Sequence, residues 1–404
     1  MNEITMLPAN APASSATVKV NWFTRTLWLA VPLLLLALAA AALFTTDLFR
    51  MLERGAPPVE KLTFERTVLD QNGIHLKVRA GGSEAMTIVQ VQVDEAYWQF
   101  TQDPAGDLNR TAAAWLHIPY PWVKGEAHKV KAITNLGTGF EHEIAVAVAT
   151  PQPSAGELLP QALVGAFVGV LPVALGLMFY PALRRAGQGG ISFVLALTVG
   201  LLVFLFVDTI EDALELAGGA AAAFQGHVMV IVVALMTFLV LLAIGRWAGT
   251  PTGLALATFI ALGIGLHNLG EGLAIGAAFA TGAAGLGAFL VLGFTLHNIT
   301  EGIGIAAPLL RARPPLMSFI GLALLAGAPA IVGMWLGSLA ISPQWSALAL
   351  AVGAGAILQV VIEVAAYMVL TAGGKAWALA SPSAIGGIAL GITVMYATGM
   401  LVKV

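Results

Sequence analysis

The sequence has no cysteine and few charged residues, and these two features exclude several classes of protein. Without cysteine there can be no disulfide, iron–sulfur cluster or thiolate zinc site. Charged residues make up 10% of the 404 residues, against about a quarter in an average soluble domain. The formal net charge is −3 and no basic run exists, so nucleic-acid binding has no electrostatic support. With 58% apolar residues, the chain has too few polar residues to form the surface of a soluble protein.

The few charges are distributed unevenly, and their distribution divides the chain. Residues 1–156 contain 12 Lys/Arg and 14 Asp/Glu, whereas residues 157–404 contain 7 and 8. The second part therefore belongs in a bilayer. We predict four parts: a disordered cytoplasmic tail (1–26), a membrane anchor helix (27–46), an extracytoplasmic β-sandwich (56–150) and an eight-helix membrane domain (157–404).

The N-terminal apolar run Leu27–Phe44 can be interpreted in two ways. Its 18 residues would reach about 27 Å as a helix, close to the hydrocarbon thickness of a bilayer. A cleavable signal peptide is the alternative, because Ala39–Ala42 offers small residues for cleavage. The run is longer than a usual signal core, which favours a retained anchor.

The region 56–150 contains short β-rich runs separated by Asp, Asn, Gly and Pro turns, which predicts six or seven strands in an antiparallel sandwich. The runs are Leu62–Leu69, Ile74–Val78, Met86–Val93, Trp115–Ile118, Val130–Thr134 and Ile144–Val148. The histidines of this region are expected to be scattered surface residues: His75, His117, His128 and His142. The sequence identifies no ligand for this domain.

Eight apolar segments follow residue 157, and the basic residues between them predict the topology. Lys or Arg follows the first, third, fifth and seventh segments, and the alternate connections contain none. The positive-inside rule then places the N-terminus in the cytoplasm and the β-domain and C-terminus outside the cytoplasmic membrane. The segments are Leu158–Leu183, Ile191–Leu216, His227–Trp247, Thr252–Ala280, Gly282–Leu310, Leu316–Ile341, Trp345–Thr371 and Ala384–Val402.

The fourth and fifth segments contain the same motif, His-Asn-x-x-Glu-Gly, 30 residues apart. In each copy His and Glu are at i and i+4, so they share one helix face. Ionisable residues at this depth are costly and indicate function. If the two faces meet, imidazole, carboxylate and amide groups converge, which suits Zn²⁺, Fe²⁺, Mn²⁺, Co²⁺ or Ni²⁺. The alternative to metal binding is that His and Glu form hydrogen bonds between the helices that only stabilise the bundle. The residues are His267, Asn268, Glu271, His297, Asn298 and Glu301.

Further carboxylates lie in the second and seventh segments. Asp208, Glu211, Asp212 and Glu215 form one helical stripe at the predicted outer surface. The stripe could attract cations to an entrance, or it could be a solvated helix end. Glu363 is isolated in the seventh segment. It is interpreted as a proton acceptor, a transient metal ligand or the partner of a buried amide.

These motifs resemble those of the ZIP family of divalent metal transporters, over about residues 158–403. The resemblance implies an eight-helix bundle with an inverted 3+2+3 organisation and, in many members, a dimer. It implies that His267, Glu271, His297 and Glu301 hold a first ion, and that Asn268 and Asn298 join the two Glu residues around a second. The chain departs from the family where Gly270 and Thr300 replace a Pro before each Glu. Ala328 precedes Pro329, where some relatives place a Glu ligand.

The function expected from these features is transport of divalent transition-metal ions into the cytoplasm, with Zn²⁺ favoured over Fe²⁺, Mn²⁺ and Co²⁺. The metal is the substrate, and no prosthetic group and no enzymatic activity are expected. Two alternatives stay open: a metal sensor that does not transport, and an intramembrane metal-dependent hydrolase.

Overall fold

A computed structural model of the chain describes most of the residues, in two compact units: 1–58 and 59–404. The predicted tail up to residue 21 and the linker prolines Pro151 and Pro153 lie outside the described residues. The described ranges are 22–45, 59–150, 155–185, 187–221, 224–247, 249–280, 284–311, 313–339 and 343–402.

The first unit contains one described helix, α1 (Trp22–Thr45), which continues through Pro32. Its start lies five residues before Leu27, inside the stretch that was predicted to be a tail. Its 24 residues would measure about 36 Å. The interpretation of this helix as a retained anchor stays a prediction.

The second unit begins with eight strands in two four-stranded antiparallel sheets. The first sheet has the order β1-β2-β6-β5 and the second the order β4-β3-β7-β8. The strands are β1 (Leu62–Asp70), β2 (Gly73–Ala80), β3 (Ile88–Val93), β4 (Ala96–Trp98), β5 (Thr101–Asp103), β6 (Ala113–Ile118), β7 (His128–Thr134) and β8 (Gly139–Ile144).

Alternating burial shows how the two sheets share one core. In β2 the residues Ile74, Leu76 and Val78 are fully buried, while the residues between them are half-buried. They pack in one cluster with Val91 of β3 and Val130 of β7, which joins the two sheets. This is the two-layer arrangement that a period-2 pattern produces.

Five of the six predicted β-rich runs form strands, and the sixth was wrong. Strand β8 ends at Ile144, where the predicted strand Ile144–Val148 begins. The expectation of surface histidines is also wrong for His128, which is buried.

Asp94 joins the second sheet to the loop that follows β6. It lies at a positive φ of 50° in the β3–β4 turn. Its carboxylate accepts hydrogen bonds from the Lys129 backbone N–H (2.8 Å), His128 Nδ1 (2.8 Å) and Tyr120 Oη (2.9 Å). Burial raises the pKa of Asp94, but these hydrogen bonds outweigh it and hold the pKa below its usual value of 3.8.

Replacing Asp94 by Asn should therefore destabilise the β-domain, and the loss should depend on pH. A carboxyl with a lowered folded-state pKa stabilises the fold above pH 3.8 and loses that contribution as the pH falls through its folded-state pKa. Hydrogen–deuterium exchange of the full-length protein should show faster exchange in β3 and β7 at pH 7. At pH 3 the variant and the intact chain should differ less; an equal difference at both pH values would contradict the assignment.

The remainder of the second unit is helical. Within the described residues, eight helices are long and apolar enough to cross a membrane, which indicates a multi-pass membrane protein. They are α2 (Leu158–Leu183), α3 (Gln188–Gly218), α4 (Gly226–Arg246), α5 (Gly253–Ala280), α6 (Ala284–Ala306), α7 (Leu316–Ser338), α8 (Pro343–Thr371) and α9 (Pro382–Val402).

Two of these helices are interrupted near their middle. Helix α2 contains a π-helical turn at Ala166–Val170, between helical stretches Leu158–Gly165 and Leu171–Leu177, and ends in Tyr180–Leu183. Helix α7 breaks between Leu316–Gly327 and Pro329–Ser338. Pro329 has no N–H, so it cannot continue the helical hydrogen bonds. Both interruptions leave backbone carbonyls available to other partners.

A buried ion pair of the β-domain, Arg79–Glu65, contacts the helical bundle. Arg79 of β2 donates to both carboxylate oxygens of Glu65, and Gln344 at the start of α8 donates to Glu65 Oε1 at 2.9 Å. The Arg79 guanidinium lies 5.5 Å from the ring centre of Phe224, in the α3–α4 connection. The sandwich is therefore docked at the end of the bundle where α3 ends and α8 begins.

Candidate metal centre

The two copies of the His-Asn-x-x-Glu-Gly motif meet inside the bundle. Helix α5 supplies the first copy and α6 the second, and the ring centres of His267 and His297 are 6.4 Å apart. All six polar residues of the two motifs are buried, and Asn268 and Asn298 are fully so. The duplicated spacing therefore produces one polar cluster rather than two separate sites.

Glu271 links the two helices through hydrogen bonds. Its Oε1 accepts from Nε2 of His267 at 3.0 Å and from Nε2 of His297 at 2.5 Å. Its Oε2 accepts from Nδ2 of Asn298 at 3.1 Å. Because an ionised carboxylate only accepts, each imidazole presents its Nε2–H to it. Thr209 of α3 then donates to the free Nδ1 of His267, at 3.3 Å.

Glu301 has a different environment from Glu271. One ligand atom from each of His267, His297 and Glu301 lies within 4.8 Å of the others. Neither oxygen of Glu301 has a hydrogen-bond partner among the described residues, and the same is true of Oδ1 of Asn268 and Asn298. The two motifs thus contain four buried oxygen acceptors without a hydrogen-bond partner among the described residues. Such groups require an explanation, and a bound cation supplies one.

The amide groups of the two Asn residues are held by the interrupted helices. Nδ2 of Asn268 donates to the Ala326 carbonyl, in the last turn before the break of α7, at 3.0 Å. Nδ2 of Asn298 donates to the Val168 carbonyl, inside the π turn of α2, also at 3.0 Å. These bonds fix each amide so that its oxygen, and not its nitrogen, remains available as a ligand.

A cavity of about 590 Å³ connects the cluster to the end of the bundle that carries the β-domain. Its lining includes His267, Glu271 and His297 at one end and Gly219 and Pro343 at the other. Three members of the predicted acidic stripe line it: Asp208, Asp212 and Glu215. The fourth, Glu211, is exposed and is not part of the lining. Thr209 lines the cavity as well. It was not predicted from the sequence, where the only feature that could have indicated it is a hydroxyl group in an apolar segment.

Glu363 does not belong to this cluster. It is fully buried, and its Oε1 accepts from Nε of Arg246 at the end of α4, at 2.8 Å. It lies 20 residues into α8, which is about 30 Å from the start of that helix and close to its other end. The structure therefore pairs Glu363 with an arginine, at the opposite end of the bundle from the β-domain.

The two partners of this ion pair should tolerate substitution unequally. The Glu363 side chain is fully buried, whereas that of Arg246 is 39% exposed. Arg246→Ala leaves a buried carboxylate unpaired and should destabilise the protein by about 3–5 kcal/mol. Glu363→Gln leaves an arginine that can reach water and should cost less. Thermal unfolding in detergent measures both, with Arg184→Ala as a surface control. Equal losses for the two variants would contradict the assignment.

No protein-family model matches this chain, and no curated protein matches it either. Two imidazoles, two carboxylates and two amide oxygens are hard to borderline donors, without sulfur, and they suit a divalent transition-metal ion. Binding such an ion through Nε2 requires the proton on that nitrogen to move, either to Nδ1 of the same ring or off the site, so metal affinity depends on the protonation of the two imidazoles.

Proposed function

We propose that the protein transports divalent transition-metal ions across the cytoplasmic membrane into the cytoplasm, in the manner of the ZIP family. The observation that carries the proposal is the group of unpaired buried oxygens beside two imidazoles, at the inner end of a cavity lined by acidic residues. A cavity of one charge sign concentrates counter-ions, and the cluster at its end offers ligands that replace their water.

The helix packing supports the inverted 3+2+3 organisation. Helix α5 packs on α7 and α6 on α2, while α3 packs on α9 and α4 on α8. Each central helix thus contacts the first helix of the opposite triplet. The hydrogen bonds of the two Asn side chains connect the same helix pairs, since Asn268 of α5 donates to α7 and Asn298 of α6 donates to α2. Paired contacts of this kind are expected of an inverted repeat around a mid-membrane site.

The ligands can be assigned to two positions. His267, His297, Glu271 and Glu301 provide the first, where Glu271 would exchange its hydrogen bonds with the imidazoles for the ion. The amide oxygens of Asn268 and Asn298 extend the donor set toward a second ion, shared with the carboxylates. Ala328 contributes no ligand there, so the second position has fewer protein donors and more water. Zn²⁺ fits this donor set best, and Fe²⁺, Mn²⁺ and Co²⁺ also fit it.

Transport then follows from how the residues exchange ions and protons. Ions enter from the β-domain side, pass the acidic lining and lose water stepwise as they bind. Protons displaced from the imidazoles return as the ion leaves, which aids release. Movement of one group of helices against the other would expose the site alternately to the two sides. A homodimer, as in many ZIP proteins, is compatible with this scheme.

Metal uptake into proteoliposomes tests the proposal. The intact chain should take up Zn²⁺ saturably, with Fe²⁺, Mn²⁺ and Co²⁺ compared in parallel, and Glu271→Ala should abolish uptake. Glu157→Ala, which removes an exposed carboxylate at the start of α2, is the matched control and should transport normally. Stoichiometric binding without flux would favour a sensor instead, and product formation without flux would favour a hydrolase.

A further inference from the structure

The β-domain contains a histidine pair outside the membrane. His75 of β2 and His117 of β6 are directly opposite each other in the first sheet. Their Nδ1 atoms are 2.7 Å apart. The neighbours of both histidines along their strands are fully buried: Ile74 and Leu76 on β2, and Leu116 and Ile118 on β6. Because side chains alternate between the two faces of a strand, the two imidazole rings lie on the outward face of the sheet. The pair is half-buried, which leaves it accessible to a small ion.

Asp70 determines which nitrogen of His75 faces His117. Its Oδ1 accepts a hydrogen bond from Nε2 of His75 at 3.0 Å, so the proton of the neutral imidazole is on Nε2 and the lone pair on Nδ1. Asp70 is itself held in the β1–β2 turn, where its Oδ1 also accepts from the Asn72 backbone N–H at 2.7 Å. A carboxylate that orients an imidazole in this way is the usual outer partner of a metal-bound histidine.

The contact between the two Nδ1 atoms can hold either one proton or one metal ion. With the Nδ1 of His75 unprotonated, the hydrogen bond requires a proton on Nδ1 of His117. If that proton moves to Nε2, which neutral imidazole allows, two lone pairs converge. Two nitrogens at 2.0–2.1 Å from a tetrahedral Zn²⁺ are about 3.3 Å apart. The rings need to separate by only about 0.6 Å to reach that geometry.

We propose that His75 and His117 form a second divalent transition-metal site, on the β-domain, with Asp70 as the outer partner of His75. Water completes the coordination, because two protein ligands leave two tetrahedral positions open. Trp115, whose ring stacks beside His117 at 6.3 Å between centres, limits how far that imidazole can turn. The chemistry selects borderline ions such as Zn²⁺, and not Ca²⁺ or Mg²⁺, which require oxygen ligands.

The site lies on the same outward strand face as the contact with the bundle. Arg79, which contacts Glu65 and Phe224, is four residues beyond His75 on β2, about 13 Å along the strand. Metal held by the histidine pair is therefore near the end of the bundle where the acidic cavity opens. The metal site itself stands on its own geometry; only a role in supplying ions to the cavity rests on the proposed transport.

Zinc stoichiometry of the full-length protein in detergent tests the site. After chelator treatment and equilibrium dialysis against Zn²⁺, His75→Gln and His117→Gln should each lose one equivalent. The double variant should lose no more than either single variant, because both residues hold the same ion. His142→Gln is the matched control; His142 is a half-buried histidine of the same domain that bonds to Thr67, and its loss should change nothing. Asp70→Asn should weaken binding about 10- to 100-fold without changing the stoichiometry.

Two further measurements keep the result separate from folding and from transport. In the intact protein, Zn²⁺ should protect His75 and His117 from diethyl pyrocarbonate, as read by peptide mass mapping. A His267→Ala variant should lose the zinc ion bound between α5 and α6 and keep the one bound at the β-domain. Loss of zinc from the proposed transport site can therefore be told apart from loss of zinc at the histidine pair. Unchanged stoichiometry in both His75→Gln and His117→Gln, or no protection, would overturn the proposal.

Discussion

If the His/Asn/Glu cluster is the proposed metal site, Glu301→Gln should abolish zinc binding there and at the same time stabilise the metal-free protein. The two oxygens of Glu301 are buried and unpaired, so a charge there is costly unless a cation balances it. Gln keeps the shape and removes the charge. The loss of Zn²⁺ affinity should exceed the roughly 10–100-fold cost of losing an outer-shell partner. The metal-free variant should gain about 1 kcal/mol or more in unfolding free energy.

Glu271→Gln is the matched control for this prediction, because it changes the same residue type on the neighbouring helix. Glu271 accepts three hydrogen bonds, and Gln cannot accept all of them, so this variant should lose both metal affinity and stability. Thermal unfolding without Zn²⁺ distinguishes the two variants, because one should be more stable and the other less stable than the intact chain. Added Zn²⁺ then reports binding, since a ligand that binds the native state raises the melting temperature. If Glu301→Gln still gains stability from Zn²⁺ as the intact chain does, Glu301 is not a ligand.

The convergence of the motif residues could be predicted because it depends on local geometry. An i, i+4 spacing places His and Glu on one face of any helix, and a short connection makes α5 and α6 neighbours. The burial of the cluster follows from the apolar segments around it. The hydrogen-bond pattern could not be predicted, since Glu271 and Glu301 occupy equivalent motif positions but only Glu271 is bonded to both imidazoles.

Contacts between distant residues were not accessible to sequence reasoning. His75 and His117 are separated by 42 positions and Arg246 and Glu363 by 117. Their pairing depends on strand register and on which helices pack together. A one-residue change of register would place the two His residues on opposite faces. The position of β8 was missed because its central Glu141-His142-Glu143 run alternates between exposed and half-buried, so no apolar face marks the strand.

The glycine that follows each motif Glu has a packing role that the motif alone does not reveal. A Cβ added to Gly272 would lie 2.1 Å from the Ala330 carbonyl oxygen of α7. A Cβ added to Gly302 would lie 2.2 Å from the Val173 carbonyl oxygen of α2. In both cases the obstacle is backbone, which cannot rotate away. The backbones of each pair of helices therefore approach more closely than any side chain allows, as small residues permit in membranes.

Gly302→Ala should consequently disrupt both the packing and the cluster. Helices α2 and α6 must separate by about 1 Å to admit the methyl group, and overpacking of this kind costs about 1–3 kcal/mol. The same movement shifts the Val168 carbonyl away from Asn298, and a displacement of about 1 Å in a site can reduce activity about 100-fold. Zinc uptake into proteoliposomes and thermal unfolding in detergent measure the two effects.

Gly321→Ala in α7 separates this packing effect from the general effect of Gly→Ala in a helix. Apart from the backbone of its own helix, no atom of the described residues lies within 4 Å of the position of its added Cβ, so the methyl group meets no neighbouring helix or side chain there. Ala has a higher helix propensity than Gly by about 1 kcal/mol, and this variant should be at least as stable as the intact chain, with uptake unchanged. Since the same substitution is made in both variants, opposite effects can only come from what the methyl group meets. If Gly302→Ala also preserved stability and uptake, the close approach of α2 and α6 would not be what holds Asn298 in place.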